Sequence, residues 1–335
     1  MKIKALALLS GGLDSTLAVK VIQEQGVEVS AINFVSPFCL CTSKKRGCLS
    51  EASRVCDELG VELKVVYVGK DYLDVIRKPK FGYGKNMNPC IDCRIHMHTI
   101  AKKHMEEIGA QFIISGEVLG QRPMSQRRDS MNIIDRESGL KGILLRPLSA
   151  KHFPITIPEE KGWVDREKLP AITGRSRKKQ FELAEELGIN DYPCPAGGCL
   201  LTDFNFSIRL RDLFNNQEDV TVGDINLLKT GRHFRLAHGA KFVIGRSEVE
   251  NIAMRGMLRE GDVWFEPVDV SGPSGLLRAV NPDDFIEISA SIIARYSKEN
   301  NGKITVSISR GADGETSSIT VSSASQEFVE GTMVS

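Results

Sequence analysis

One short segment near the N-terminus constrains the fold of this chain more than any other. Residues 5–9 read ALALL, residues 10–16 read SGGLDST, and an apolar, helix-forming pattern follows. The two glycines let the backbone turn tightly and approach an anion, toward which the N–H groups of a helix start point. The segment therefore predicts a buried strand, an anion-binding turn and a helix, in that order.

The side chains of this turn indicate which anion it binds. Ser10, Ser15 and Thr16 add hydroxyl donors, and Asp14 is suited to hold Mg2+. The Lys-Ser/Thr ending of a Walker loop is absent, so ordinary γ-phosphoryl transfer is not predicted. The segment resembles the PP-loop of ATP pyrophosphatases, a family that splits ATP between its α and β phosphates to adenylate a substrate. The resemblance implies a catalytic role for Asp14 and ATP contacts at Ser10, Gly11, Gly12, Asp14, Ser15, Thr16, Asn33, Gly116 and Gln121.

Strand and helix signals alternate over the first 150 residues. Strands are predicted at 3–9, 27–35, 61–68 and 111–115, and helices at about 15–26, 49–59 and 91–108. A last strand near 143–150 leaves the sheet, and a helix follows at about 176–187. The alternation predicts an α/β fold, a doubly wound parallel sheet with ligands at the carboxyl ends of its strands. Together with the PP-loop it implies an adenine nucleotide alpha hydrolase-like domain.

Three regions are expected along the chain. They are a PP-loop domain at 1–170, a helical extension at 171–215 that completes the active site, and a smaller, mostly β domain at 216–335. Short β runs are predicted at 234–236, 241–244, 263–265, 285–289, 304–309 and 318–321, and the Ser-rich tail from about 317 is expected to be partly disordered. Segment 241–251 weakly resembles the RNA-associated module of NFACT proteins.

Charge is divided unevenly between these regions. Residues 216–335 contain 12 Lys/Arg and 17 Asp/Glu, a net of −5, whereas residues 1–215 have a net of +6. A polyanion is therefore expected to meet the N-terminal two-thirds. No apolar run in the 335 residues reaches membrane-spanning length, and we expect no cleaved signal peptide. The eight cysteines then suggest reduced thiols, metal ligands or catalysis in the cytoplasm rather than a disulfide framework.

Two cysteine pairs lie in rigid turns. Cys90 and Cys93 open the third predicted helix, where the helix dipole favours thiolates, and Cys194 and Cys199 lie in a Pro/Gly turn. Three interpretations compete. Cys90, Cys93 and Cys199, with Cys194 as the alternate, hold a 4Fe-4S cluster; Cys93 and Cys199 deliver sulfur as a redox or persulfide pair; or the four cysteines bind structural Zn2+. The first is slightly favoured and zinc is ranked last.

The other cysteines give no clear signal. Cys39, Cys41 and Cys48 lie in the loop after the second strand, near the predicted ATP edge, but their spacing fits no metal template. They are auxiliary ligands or ordinary loop thiols. Cys56 falls on the apolar side of a helix and is expected in the core.

Further segments narrow the family resemblance. Residues 115–126 resemble the segment after the fourth strand of tRNA 4-thiouridine synthetases, and residues 145–148, LRPL, match another element of those enzymes. Cys199 falls where they carry a late catalytic cysteine, and NPxxxC at 88–93 is similar to the catalytic cysteine segment of tRNA 2-thiouridylases. The resemblance covers about residues 1–210. It implies tRNA thiolation with Cys93 and Cys199 as catalytic residues, and a cysteine desulfurase or free sulfide as sulfur donor.

The basic residues near these segments are candidate tRNA phosphate contacts. They are Arg122, Arg127, Arg128, Arg175, Arg177, Lys178 and Lys179, each about as well explained as part of a solvated basic face. Two alternatives stay open, a small-molecule adenylase similar to 7-cyano-7-deazaguanine synthases and a non-catalytic RNA-binding or sulfur-carrier scaffold. The sequence also leaves the oligomeric state open, a homodimer included.

Overall fold

The computed structural model describes residues 2–39, 48–192, 198–268, 270–298, 303–311 and 314–334. They form two compact units, Met1–Thr202 and Asp203–Ser335. Within these described ranges no helix is both long and apolar enough to cross a membrane.

The first unit is built on a five-stranded parallel sheet with the strand order β3-β2-β1-β4-β5. The strands are β1 (Lys4–Leu8), β2 (Glu28–Val35), β3 (Glu62–Tyr67), β4 (Phe112–Ser115) and β5 (Leu144–Leu145). The helices are α1 (Leu13–Gln23), α2 (Cys48–Leu59), α3 (Lys70–Arg77), α4 (Cys90–Glu107), α5 (Arg128–Glu137), α6 (Ile157–Glu160) and α7 (Lys178–Glu186). The doubly wound α/β prediction is confirmed.

Helices cover both faces of the central strand β1. Ala5 and Ala7 pack with Val19 and Ile22 of α1 on one face, while Leu6 packs with residues of α4 on the other. A strand buried on both sides reads as a continuous apolar run, which is why residues 5–9 contain no polar side chain. The strand order reverses between β1 and β4, so the loops that follow these two strands flank the crevice where ligands bind in such sheets.

The second unit is built on a six-stranded antiparallel sheet with the order β11-β10-β8-β9-β7-β6. The strands are β6 (Arg232–Arg235), β7 (Lys241–Ile244), β8 (Val263–Pro267), β9 (Gly275–Arg278), β10 (Lys303–Arg310) and β11 (Thr316–Ser322). The helices are α8 (Phe204–Asn216), α9 (Val222–Leu227), α10 (Glu248–Arg255), α11 (Ile286–Tyr296) and α12 (Gln326–Thr332). Ile292 and Ile293 of α11 pack with Phe242 and Phe265 on one face of the sheet.

Two expectations for the second unit are wrong. Residues 285–289 do not form a strand, because α11 begins at Ile286 and buries Ser289, Ala290, Ile292, Ile293 and Ala294 against the sheet. Burial at helical spacing outweighs the β propensity of its isoleucines. The Ser-rich tail is ordered: β11 pairs with β10, and the Ser325 hydroxyl accepts a hydrogen bond from Phe328 N at the start of α12.

The boundary between the two units lies between residues 202 and 203, earlier in the sequence than the expected boundary at 215/216. Helix α8 belongs to the second unit, where Asp212 accepts hydrogen bonds from Arg235 Nε and Nη2 at 3.0 and 2.5 Å. Residues 171–202 belong to the first unit. The late cysteine Cys199 is therefore part of the same unit as the sheet.

Candidate active site

The turn between β1 and α1 is closely packed from beneath. Gly11 has φ +76°, and a Cβ there would lie 2.7 Å from Ala52 N. A Cβ on Gly116, which follows β4, would lie 2.5 Å from the carbonyl oxygen of Asp14. Only glycine allows these approaches, so both loops at the reversal of strand order depend on glycine.

The hydroxyls of the turn are used mainly to fix its shape. Ser15 Oγ donates to Gly12 O at 2.8 Å and lies 3.2 Å from Ser10 Oγ, while Thr16 Oγ1 donates to Gly12 O at 3.2 Å. Gly12 is the N-cap of α1 and has no side chain to satisfy the first N–H groups of the helix. These N–H groups are therefore available to a bound anion.

Asp14 is held by amide and guanidinium groups. Gln121 Nε2 donates to Asp14 Oδ2 at 2.8 Å, and Gln180 Nε2 in turn donates to Gln121 Oε1 at 3.0 Å. Arg177 Nη2 lies 3.9 Å from the same oxygen of Asp14. The other oxygen, Oδ1, is buried and has no hydrogen-bond partner among the residues that the structure describes. An orphaned carboxylate oxygen beside an anion-binding turn fits a Mg2+ ligand.

A cleft of about 160 Å³ opens above the turn. Its volume is below the range of about 300–1,000 Å³ for whole small-molecule sites, so it suits the phosphate end of a nucleotide. Predicted ATP contacts that line it are Ser10, Gly12, Asp14, Ser15, Gly116 and Gln121. Gly11, Thr16 and Asn33 do not line it. Asn33 is buried and donates to Leu9 O at 2.7 Å, which ties β2 to the end of β1.

Three arginines line the same cleft: Arg94, Arg122 and Arg177. The sequence predicts tRNA phosphate contacts at Arg122 and Arg177, and it gives no signal for Arg94. Burial and the like charge of Arg94 lower the pKa of Arg122, whereas the charge of Asp14 opposes this. Three cations around a small cleft that is lined by two carboxylates, Asp14 and Glu117, leave it with an excess of one positive charge. A polyphosphate fits this charge.

Arg94 is positioned by a buried ion-pair network. Its Nε lies 3.6 Å from Glu117 Oε1, and Glu117 Oε2 accepts from Arg146 Nε at 3.1 Å. Arg146 also donates to both carboxylate oxygens of Asp135, at 2.9 and 2.6 Å. Burial alone would raise the pKa of Glu117, but the charges of Arg146 and Arg94 overcome it and lower this pKa to about 2. Glu117 is thus an anion in the wall of the cleft that fixes Arg94 there.

The Cys-x-x-Cys pair lies on the first turn of α4, directly before Arg94. Cys90 Sγ donates to Asn88 Oδ1 at 3.1 Å, and Cys93 Sγ lies 3.0 Å from Tyr72 Oη. The expectation of thiolates at this helix start is corrected by burial, which raises the pKa of both cysteines although Arg94 opposes it. Both sulfurs are therefore thiols at neutral pH.

The late cysteine reaches the same place from the other end of the unit. Met87 N donates to Leu201 O at 3.1 Å, and Asn86 Nδ2 donates to Thr202 O at 2.7 Å, which joins the segment before α4 to the one after Cys199. Burial raises the pKa of Cys199 to about 12, and the nearby thiols of Cys93, Cys90 and Cys39 add to the effect. Cys199 is therefore near enough to Cys39, Cys90 and Cys93 to interact with them electrostatically.

The donor chemistry of these cysteines suits one of the metal interpretations. Cysteine sulfurs are the donors that iron–sulfur clusters use, so the chemistry of Cys90, Cys93 and Cys199 fits an iron–sulfur cluster. In the described part of the chain, however, no three His, Cys, Asp or Glu side chains are placed to hold a single metal ion. Cys41 and Cys194 lie outside the described residues, and Cys56 is buried in the core as expected.

The remaining tRNA candidates lie away from the cleft. Arg127, Arg175 and Lys179 are exposed, as is Lys178, which lies 3.8 Å from Glu182. Arg128 donates to His152 O at 2.8 Å and lies over the Phe153 ring. These positions leave a phosphate role open for each of them.

Known protein families match parts of both units. Residues 1–152 match the family model described as thiamine biosynthesis protein (ThiI), so this part of the first unit is similar to that family. Residues 231–332 match the model described as NFACT protein RNA binding domain. Segment 241–251, which weakly resembled the NFACT module, lies inside this match.

Curated relatives that are similar to part of this chain are named as tRNA-thiolating proteins. A tRNA-specific 2-thiouridylase MnmA from Serratia proteamaculans is 25% identical over 144 residues, which are 39% of this chain and 38% of the relative. A probable tRNA sulfurtransferase from Lysinibacillus sphaericus is 31% identical over 148 residues, 43% of this chain and 34% of the relative. The expected resemblance is confirmed, and the chain spans little more than a third of the length of these relatives.

Two solved structures match parts of this chain. A 4-thiouridine synthetase–RNA complex with bound ATP has a TM-score of 0.35 at 25% identity and covers 56% of this chain and 51% of its own. The U34-tRNA thiolase NcsA from Methanococcus maripaludis, with its [4Fe-4S] cluster, has a TM-score of 0.31 at 19% identity and covers 68% and 69%.

Proposed function

We propose that this protein is an ATP-dependent tRNA sulfurtransferase that adenylates a uridine carbonyl oxygen and replaces that oxygen with sulfur. One observation carries the proposal: Arg94, which lines the phosphate cleft, directly follows Cys93 on α4. A site for activating an oxygen and a site for supplying sulfur are thus adjacent. The names of the curated relatives support the same reaction.

The cleft residues support the activation step. The β and γ phosphates of ATP bind the turn at 10–16 and the N-terminus of α1. Asp14 Oδ1 would hold Mg2+, which would neutralise charge on these phosphates. The uridine oxygen attacks the α-phosphate and pyrophosphate leaves. Arg94, Arg122 and Arg177 stabilise the charge that develops on the phosphates.

The cysteines Cys90, Cys93 and Cys199 support the sulfur step. Sulfur displaces AMP, which departs with the former uridine oxygen, and thiouridine is formed. A persulfide on Cys93 or Cys199 is one carrier. Its outer sulfur attacks the activated carbon, and the other cysteine of the pair then breaks the S–S bond, which leaves a Cys93–Cys199 disulfide for a dithiol reductant to reduce. The other carrier is a 4Fe-4S cluster held by Cys90, Cys93 and Cys199, with Cys194 as the alternate, which would present an additional sulfide. Tyr72 lies 3.0 Å from Cys93 Sγ and orients that sulfur in either case.

RNA binding is proposed for both units. The first 215 residues have a net charge of +6, and Arg127, Arg128 and Lys178 lie outside the cleft where they can meet tRNA phosphates. The match of 231–332 to an RNA-binding family supports a role for the second unit, although residues 216–335 have a net charge of −5. We propose that RNA contacts there depend less on phosphate charge than those of the first unit.

The setting of the reaction is part of the proposal. Reduced thiols are maintained in the cytoplasm, where we place the protein. A cysteine desulfurase supplies the outer sulfur in the persulfide route, and free sulfide supplies the sulfur in the cluster route. The base is presented unstacked, because its oxygen cannot reach the cleft from within a helix. A homodimer is compatible with this scheme, and the scheme does not require one.

Pyrophosphate release is the test of the first step. The full chain is expected to release pyrophosphate from Mg-ATP with unmodified tRNA and not with free nucleobases. Release with a free base instead would favour the alternative of a small-molecule adenylase. Binding of tRNA without any release would favour a non-catalytic scaffold.

Nucleoside analysis tests the second step. Cys93→Ala and Cys199→Ala are expected to abolish thiouridine while pyrophosphate release continues. Cys56→Ser is the control, because Cys56 lies on α2 and is buried in the hydrophobic core. This variant is expected to thiolate normally. Normal thiolation by Cys93→Ala would contradict the assigned sulfur route. Iron and sulfide analysis after anaerobic purification, with a visible spectrum, distinguishes the cluster from the persulfide.

A further inference from the structure

Cys39, which follows β2, lies directly opposite Cys199. The two residues form an isolated antiparallel bridge, and Leu200 N donates to Phe38 O at 2.9 Å beside it. This hydrogen bond joins the neighbours of the two cysteines rather than the cysteines themselves. Cys39 and Cys199 are therefore a non-hydrogen-bonded pair of an antiparallel ladder.

That pairing brings the two side chains close together. In a non-hydrogen-bonded pair the Cα atoms are about 4.5 Å apart and both side chains extend to the same side of the ladder. Disulfides form across Cα separations of about 4.4–6.8 Å. The backbone therefore already holds Cys39 and Cys199 within reach of a covalent bond. Cys93, in contrast, lies on a helix and is in contact with Tyr72.

We propose that Cys39 and Cys199 are a redox-active pair that closes to a cross-strand disulfide when the protein is oxidised. Each thiol gives up one electron and one proton, an S–S bond forms, and an oxidant of the peroxide class is reduced to two molecules of water. A dithiol reductant reverses the reaction. The sequence pattern does not predict this role, because the spacing of Cys39, Cys41 and Cys48 fits no metal-binding template.

The disulfide would withdraw Cys199 from the group that it forms with Cys90 and Cys93. It would also join the segment after β2 covalently to the segment before α8. The pairing requires neither ATP nor RNA, so it goes beyond the proposed function. It can be correct even if the proposed function is wrong, and the reverse also holds.

Peptide mapping tests the proposal. The full chain is reduced anaerobically with a metal chelator present, desalted, treated with one equivalent of hydrogen peroxide, alkylated and digested with trypsin without reductant. We expect mass spectrometry to find residues 21–44 linked to residues 180–209, and dithiothreitol to release them. Cys39→Ser and Cys199→Ser are each expected to lower this cross-link at least tenfold.

Matched variants assign the bond within these peptides, which also contain Cys41 and Cys194. The double variant Cys41→Ser/Cys194→Ser is expected to keep the cross-link, and circular dichroism checks that every variant is folded. Loss of the cross-link in this double variant would overturn the assignment. A bond from Cys199 to Cys90 or Cys93 in its place, or no bond at all, would equally overturn it.

Discussion

Gln121 Nε2 lies 2.8 Å from Asp14 Oδ2 and thereby fixes the carboxylate at the start of α1. Gln180 is fully buried and donates to Gln121 Oε1, so the orientation of the Gln121 amide is itself determined. With Oδ2 occupied in this way, Oδ1 is the oxygen left for a cation. Three segments that are distant in sequence thus prepare one carboxylate oxygen.

Replacing Gln121 should therefore impair the use of Mg-ATP. A hydrogen bond to a charged group contributes about 1.5–3 kcal/mol, so Gln121→Ala should lower kcat/KM for pyrophosphate release about 10- to 100-fold. Gln25→Ala is the control, since Gln25 accepts a hydrogen bond from Asp165 N away from the cleft. Equal activity of the two variants would show that the amide does not position Asp14.

Two glycines of the cleft should respond differently to alanine. A Cβ on Gly116 would overlap the backbone of Asp14, so Gly116→Ala should lower the free energy of unfolding by at least about 2 kcal/mol. A Cβ on Gly12 would meet only Ser10 Oγ, at 3.5 Å, and its φ of −84° suits alanine. Gly12→Ala should keep its stability but raise KM for ATP. Urea unfolding and steady-state kinetics check the pair, and equal stabilities would contradict this account.

The Glu117 network should make stability depend on acid pH. The pKa of Glu117 is about 2 in the folded protein, below its ordinary value of 4.5. The unfolded chain therefore binds a proton first, and the contribution of Glu117 is lost as the pH falls from 4.5 toward 2. Urea unfolding between pH 7 and pH 3 should show a steeper acid fall for the wild type than for Glu117→Gln. Parallel curves would mean that Glu117 is not held as an anion.

Arg146→Met supplies the complementary measurement at pH 7. It should cost about 3–5 kcal/mol, because Glu117 and Asp135 would lose their shared counter-charge. Arg136→Met is the matched control, since Arg136 is exposed and its ion-pair partner within the described residues is the surface residue Glu137. Similar losses of stability in the two variants would contradict a buried network centred on Arg146.

Lys241 in the second unit should give a pH dependence of the same sign as Glu117, but at alkaline pH. It is 6% exposed on β7, and its burial together with the like charge of Arg235 lowers its pKa to about 7 from 10.5. Between these two values the unfolded chain binds the extra proton, so stability should rise from pH 7 to pH 10. Hydrogen exchange of peptides that contain β7 should slow over this range after correction for intrinsic rates. Lys241→Met should remove the change, whereas Lys229→Met should leave it.

The first sheet could be predicted closely because its signals are local. The apolar run before Ser10 and the glycines after it specify strand and turn, and the helix predicted at 91–108 is observed at Cys90–Glu107. In the second unit the same reasoning failed at Ile286, because β-branched residues there serve a helix that packs on a sheet. The intrinsic propensity of a short segment does not reveal that a distant sheet will pack against it.

The site was predictable in its chemistry but not in its assembly. The basic charge of Arg122 and Arg177 indicated an anion, but charge does not say which anion, and both line the nucleotide cleft. Arg94 resembles any helical surface arginine until Glu117 is placed behind it. Cys39 meets Cys199 only through tertiary pairing. Contacts between distant segments leave no spacing pattern in the sequence.

Cys93 and Arg94 are consecutive on α4, which makes the two halves of the site inseparable in evolution. Successive residues of a helix are rotated by about 100°, so one inserted or deleted residue in the preceding segment would turn the thiol away from Tyr72 and the guanidinium away from Glu117 together. Descendants of this chain can therefore exchange either side chain by substitution. They cannot change the length of that segment by one residue without losing both.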